Sequence, residues 1–147
     1  MPEALTQEWL ASSIVNLSGD AIMFADRDGI IRLWNSGAEK MFGFTADEAL
    51  GQSLDLIIPE NLRVRHWDGY GRVMESGSSR YSTDMLSAPA LQKGGSRIST
   101  EFSMVMVKDG AGKMLGVAAI IRDVSARWQK EKELKERLRM HEAEKGI

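Results

Sequence analysis

The second half of the chain holds three strand-like runs in close succession, at residues 80–88, 97–108 and 114–123. Two turn sequences separate them, Gln92-Lys93-Gly94-Gly95-Ser96 and Lys108-Asp109-Gly110-Ala111-Gly112-Lys113. Glycine-rich turns of this kind punctuate a chain that folds back on itself. A further hairpin stands near the start. Residues 21–25 and 30–34 are its strands, and Asp28-Gly29 supplies the positive-φ turn residue. Between the two sets of strands lie helical patterns. Runs of strands flanking segregated helices predict an α+β fold with an antiparallel sheet.

The helical patterns are of three kinds. Residues 3–17 place Leu5, Trp9, Ile14 and Leu17 near one helical face, which predicts an amphipathic leading helix. Residues 36–58 read as short helices broken by Gly43 and Gly51, and Thr45 with Glu48 forms a capping box. Pro59-Glu60 then opens a helix that runs to about Ser76. This last helix accepts two interior glycines, Gly69 and Gly71, each costing about 1 kcal/mol against alanine. It also carries His66, one of only two histidines. Leu62, His66, Gly69 and Val73 fall at i, i+4, i+7 and i+11, a stripe that predicts an inward imidazole beside an open patch of backbone. Trp67 is expected to face away from His66.

From Ser125 the texture changes to a charge at most positions. Glu131–Lys135 and Glu133–Arg137 stand at the favourable i,i+4 spacing. Leu134 and Leu138 sit at heptad spacing, but Glu131 and His141 occupy the neighbouring core positions, so three clean heptads are absent. The expected division is a flanking helix at 1–19, a central domain at 20–125 and a linker or coiled-coil-like helix at 126–147.

Composition excludes several classes. One domain with one core fits 147 residues. A net charge of −2 without an isolated basic block argues against nucleic acid as a partner. No apolar run reaches the roughly 18 residues of a membrane span, and no basic-then-apolar leader is present, so a cytoplasmic location is expected. There are no cysteines, which removes disulfides, thiolate sites and a flavin–cysteinyl adduct. Asp26, Asp28 and Asp84 have no partner spaced for acid–base work, no nucleophile elbow occurs, and the glycine turns lack the helix a phosphate loop needs. The chain is not expected to be an enzyme.

The segment from Trp34 to Glu60 resembles the PAS family through Asn35, Ala38, Phe42, Gly43, Phe44, Glu48, Gly51 and Pro59, all in register. The end of the third late strand, Arg122-Asp123-Val124-Ser125, is similar to the motif that closes the family's core. The resemblance covers about residues 20–125. It implies a five-stranded antiparallel sheet with helices on one side, a cavity between them, and a sensory role. The trailing helix would be an output to a histidine kinase, cyclase or transcription regulator, or a homodimer contact shared with the leading helix. Asp123 would be the signal junction; an ordinary cap of the last helix is the other reading of it.

The run from Pro59 to Arg72 also resembles the heme-binding PAS oxygen sensors of the FixL and Dos kind. That resemblance implies heme b with His66 as axial iron ligand, Arg72 near a propionate, Gly69 and Leu62 beside the macrocycle, and Met85, Leu86, Phe102 and Met104 as the opposite wall. Two departures stand out. Those sensors hold oxygen with an arginine on the next strand, where this chain has Leu86, and they carry tyrosine three residues after the histidine, where it has Gly69 and then Tyr70. A methionine, Met85 or Met104, would be the resting sixth ligand. Trp34 and Asn35 admit a reading as flavin contacts, and packing at the strand end explains them equally. The alternative is a cofactor-free or metabolite-binding PAS domain acting as an interaction module. There His66 would be a core residue and Met74, Met85, Phe102 and Met104 would fill the cavity.

Overall fold

The computed structural model describes residues 5–78 and 85–145. A leading helix α1 (Gln7–Leu17) starts on Thr6, whose hydroxyl accepts from the Trp9 amide at 3.2 Å. Strands β1 (Ala21–Asp26) and β2 (Ile31–Trp34) form the first hairpin. Helices α2 (Ser36–Phe42) and α3 (Ala46–Ala49) follow, the second closed by the expected capping box of Thr45 and Glu48. Two short 3-10 turns at Leu54–Leu56 and Glu60–Leu62 lead into α4 (Arg63–Ser76), which ends on Gly77 at φ 67°. Strands β3 (Leu86–Leu91), β4 (Arg97–Lys108) and β5 (Met114–Asp123) complete the sheet, and α5 (Ser125–Lys145) leaves from its end.

The five strands lie in the order β2-β1-β5-β4-β3, every pair antiparallel. Along β1, residues at alternate positions (Ala21, Met23, Ala25) are buried and the residues between them are half-buried, the period-2 signature of one face packed on a core. That inner face carries short side chains, Ala21, Ala25, Ala90 and Ala119, and meets Ala38, Phe42, Leu54 and Ile57 from the helices and turns. Ala119 is level with Met23 and Met104, and Ile121 is level with Ala21 and Phe102.

Three expectations shift. The strand expected at 80–88 is found at Leu86–Leu91, and 80–84 lies outside the described residues. Pro89 stands inside it, tolerated because β3 is an edge strand where a missing amide costs no ladder bond on the free side. The helix expected at 59–76 begins with a 3-10 turn before α4 proper. The apolar side chains of the leading segment, Leu5, Trp9, Ile14 and Leu17, are exposed rather than packed.

Candidate functional site

Asn35 is the node on which the N-terminal half is hung. It is 2% exposed, and its amide oxygen accepts from the Ile22 and Ala38 amides at 2.8 and 2.9 Å. Its Nδ2 donates to the carbonyls of Val15 and Asp20 at 2.8 and 3.0 Å. Trp34 donates its indole N–H to the Phe44 carbonyl at 2.9 Å. Both residues are thus consumed by the fold, and the flavin reading of them has no free polar atom to use. Beside Asn35, Gly37 lies so close to the Asp20 carbonyl that a Cβ would collide with it, which fixes the path of the link from α1 to β1.

Helix α4 crosses this framework on three rings. His66 is half-buried, with the Trp67 ring 4.7 Å away at 77° and the Tyr70 ring 5.7 Å away at 35°. Trp67 donates to Asp55 Oδ1 at 2.7 Å, and its six-membered ring lies over Gly29, where φ is 75° and a Cβ would strike the indole. The Tyr70 hydroxyl donates to the Asp26 carbonyl, with the Ala25 carbonyl at 3.1 Å. Arg63 reaches back to the carbonyls of Ile58 and Asp55 at 3.1 and 3.2 Å, holding the turn that carries Asp55. Trp67 therefore packs inward, opposite to expectation, and with Tyr70 it docks α4 on the first hairpin.

The electrostatics follow from burial. Desolvation holds the His66 imidazole below the ordinary histidine range, partly offset by the Asp55 carboxylate. Burial pushes the Tyr70 phenol up, assisted by the charges of Asp26 and Asp28. Among the described residues, His66 Nδ1 is buried and has no hydrogen-bond partner. A buried polar atom left unpaired is uncommon and costs free energy, so it points to something the fold itself does not supply.

The other expected site residues divide in two. Leu62, Leu86, Phe102 and Met104 are half-buried, and Phe102 packs against the core. Gly69, Arg72 and Met85 are exposed, Met85 at 62%. Among the described residues, nothing lies within 4 Å of a Cβ placed on Gly69 or on Gly71, so neither glycine has a close neighbour there. The buried face of α4 runs through His66, Tyr70 and Met74 with Trp67 beside it, rather than through Gly69. Continuing the spacing from His66 by four and eight residues would have found Tyr70 and Met74; a glycine has no side chain with which to report its direction.

At the end of the sheet, Asp123 is exposed and its carboxylate accepts from the Ser125 amide at 2.9 Å, the capping reading. The chain is tied to the core one step later. Ser125 Oγ accepts from the Ser99 amide at 2.9 Å, the Val124 amide donates to the Ser99 carbonyl at 2.8 Å, and Arg127 pairs with Glu101. A cavity of about 390 Å³ opens here, lined by Pro89, Thr100, Glu101, Arg127, Trp128 and Glu131 among others.

A five-stranded antiparallel sheet with helices packed on its inner face, and a further helix leaving the last strand, define a small α+β domain. The family model of the PAS fold matches residues 15–129, and the chain belongs to that family. It is similar to the oxygen sensor protein DosP of Escherichia coli K12, 30% identical over 122 residues, which are 83% of this chain and 14% of that one. It is also similar to the sensor protein FixL of Bradyrhizobium diazoefficiens, 37% identical over 78 residues, 53% of this chain and 14% of the relative. The chain thus spans about a seventh of either relative's length. Among solved structures, the PAS domain of a Colwellia psychrerythraea protein superimposes with a TM-score of 0.70 at 21% identity, covering 80% of this chain and 96% of that one, a likeness of fold.

Proposed function

We propose that residues 20–125 form a ligand-sensing unit, that heme b is the ligand, and that His66 is its axial partner. The observation that carries this reading is the buried, unpartnered Nδ1 of a histidine that burial keeps uncharged. A neutral imidazole is the form that binds iron. Leu62, Leu86, Phe102 and Met104 would hold the macrocycle by apolar contact. Arg72, Gly69 and Met85 are directed to solvent and would contribute only through a rearrangement. Bound heme would supply an iron centre responsive to a diatomic gas or to redox state. The kinship with an oxygen sensor supports that class of signal.

The relay would pass through the junction from Asp123 to Arg127 into α5, and from there to a histidine kinase, cyclase or transcription regulator, within a cytoplasmic, two-component type of pathway. The unit itself would carry no catalysis, and a homodimer through its terminal helices would set the geometry of output. A second reading, a cofactor-free interaction module, is favoured by the Trp67 and Tyr70 rings that flank His66 and are anchored to Asp55 and β1.

The test is an absorption spectrum of protein purified with heme supplied. The heme reading expects a Soret band that moves on reduction and on addition of carbon monoxide, and that His66→Ala abolishes without loss of the circular dichroism signal. A colourless protein after heme titration moves the assignment to the interaction module, and a band that survives His66→Ala keeps the heme but removes His66 as its axial partner.

A further inference from the structure

The cavity beside the start of α5 lies on the opposite side of the sheet from the core that α4 covers. Phe102 packs inward and is level with Leu86, so the alternate positions, Ser87 level with Glu101 and Pro89 level with Ser99, face outward. These four form the floor, and Arg127, Trp128 and Glu131 from the first two turns of α5 form the wall. A volume of about 390 Å³ falls within the roughly 300–1,000 Å³ of small-molecule sites.

An extended peptide added to the edge of β3 does not suit this place. Leu91 turns its amide away from β4, toward the Ile57 carbonyl. Pro89, two residues earlier, faces the same free edge and has no amide to donate there. The cavity offers side chains rather than a ladder.

Charge sets the sign of what those side chains would hold. Arg127 pairs with Glu101 across the joint, while its Nε stands 3.7 Å from Glu131, a separation at which no hydrogen bond forms. One guanidinium thus stands against two carboxylates, and negative charge is left over at the rim. The indole agrees with that sign. Lys132 Nζ lies 5.2 Å from the centre of the Trp128 ring, a cation held on an aromatic surface. Trp128 is 51% exposed, so ring surface remains for a second one. Pro89 supplies an apolar surface at the floor.

We infer that this cavity binds a small organic cation, with its apolar body on Pro89 and Trp128 and its ammonium group between Glu101 and Glu131. Glu101 stands on β4, whereas Trp128 and Glu131 stand on α5. An occupant therefore spans the joint and biases the direction of α5 without acting through α4. The site is separate from the heme reading, and neither depends on the other.

The probe is phenethylammonium, set against phenylpropionate, which has the same ring and the opposite charge. Each is titrated into the full isotope-labelled chain while the indole N–H resonances are followed. The four tryptophans give four such signals, and Trp128→Phe identifies the one that matters. Phenethylammonium should shift the Trp128 signal saturably and leave those of Trp34 and Trp67 in place, and phenylpropionate should give no saturable shift. Glu131→Gln, at an exposed position of a charged helix, should weaken binding about two- to fivefold, the worth of an exposed ion pair. Equal or tighter binding of phenylpropionate overturns the inference in favour of an anion site on Arg127. The absence of a saturable shift with phenethylammonium overturns it as well, as does an affinity that Glu131→Gln leaves unchanged.

Discussion

At the scale of single residues, His66 carries the proposed ligand role together with a cost to folding. Its folded-state proton affinity is depressed by desolvation, whereas the unfolded chain titrates near the ordinary value of about 6.5. The sign follows from linkage. Above that value both states are neutral and the group contributes no pH dependence. Below it the unfolded chain takes up a proton that the folded chain resists, so stability falls as pH falls. A fully shielded group would give a slope of at most about 1.4 kcal/mol per pH unit, and the half-exposed ring gives less through solvent screening. Denaturant unfolding of the native protein and of His66→Gln between pH 7.5 and about 5 measures the difference. The native protein should lose more stability on acidification, because the carboxylates titrate alike in both and cancel. Equal slopes would show that His66 is solvated rather than desolvated. The histidine was legible from its place on a helical stripe. Asp55, which tempers its charge and holds Trp67, was not, because it stands on a separate turn eleven residues earlier that only the fold brings near.

Among the elements, α4 shows how a pattern can be read too narrowly. The turns from His66 permit either 69 and 73 or 70 and 74 as the continuing stripe, and a glycine gives no signal of which way it faces. The structure takes from both, with Tyr70 and Val73 half-buried and Met74 buried, and leaves Gly69 and Gly71 exposed with open space around them. Neither has a positive φ. Both therefore weaken the helix with no compensating contact among the described residues. Gly69→Ala and Gly71→Ala should each stabilise the protein by about 1 kcal/mol, seen as a rise in melting temperature of roughly 3 °C apiece. A loss of stability or of ligand binding in Gly69→Ala would restore the close approach that the sequence pattern suggested. Strand boundaries were more legible where local signals were strong. The runs 97–108 and 114–123 coincide with β4 and β5, because glycine turns bracket alternating apolar residues. They were displaced at β3, where Pro89 imitates a strand end yet sits harmlessly on a sheet edge.

For the whole molecule, the pairing that local sequence does not encode is β1 against β5, with Ala21 level with Ile121. Only the family resemblance supplied that order, since the contact is set by closure of one core rather than by any turn. It brings the entry of the domain and its exit onto neighbouring strands, so α1 and α5 leave from adjacent places. Helix α5 buries no side chain, and its attachment rests on the Val124 amide bonded to the Ser99 carbonyl, the Ser99 amide bonded to Ser125 Oγ, and the exposed pair Arg127–Glu101. An exposed ion pair is worth at most about 1 kcal/mol. The free energy holding the helix in its direction is thus small beside the stability of a domain, roughly 5–15 kcal/mol, which is the proportion the proposed relay requires. Removing residues 130–147 tests this directly. The truncated chain should lose helical circular dichroism while its core melts within about 2 °C of the full-length protein, since about 1 kcal/mol corresponds to a few degrees at this size. A drop of ten degrees or more would mean that α5 is packed as part of the core, and a helix so held is too costly to reorient by a ligand beneath α4.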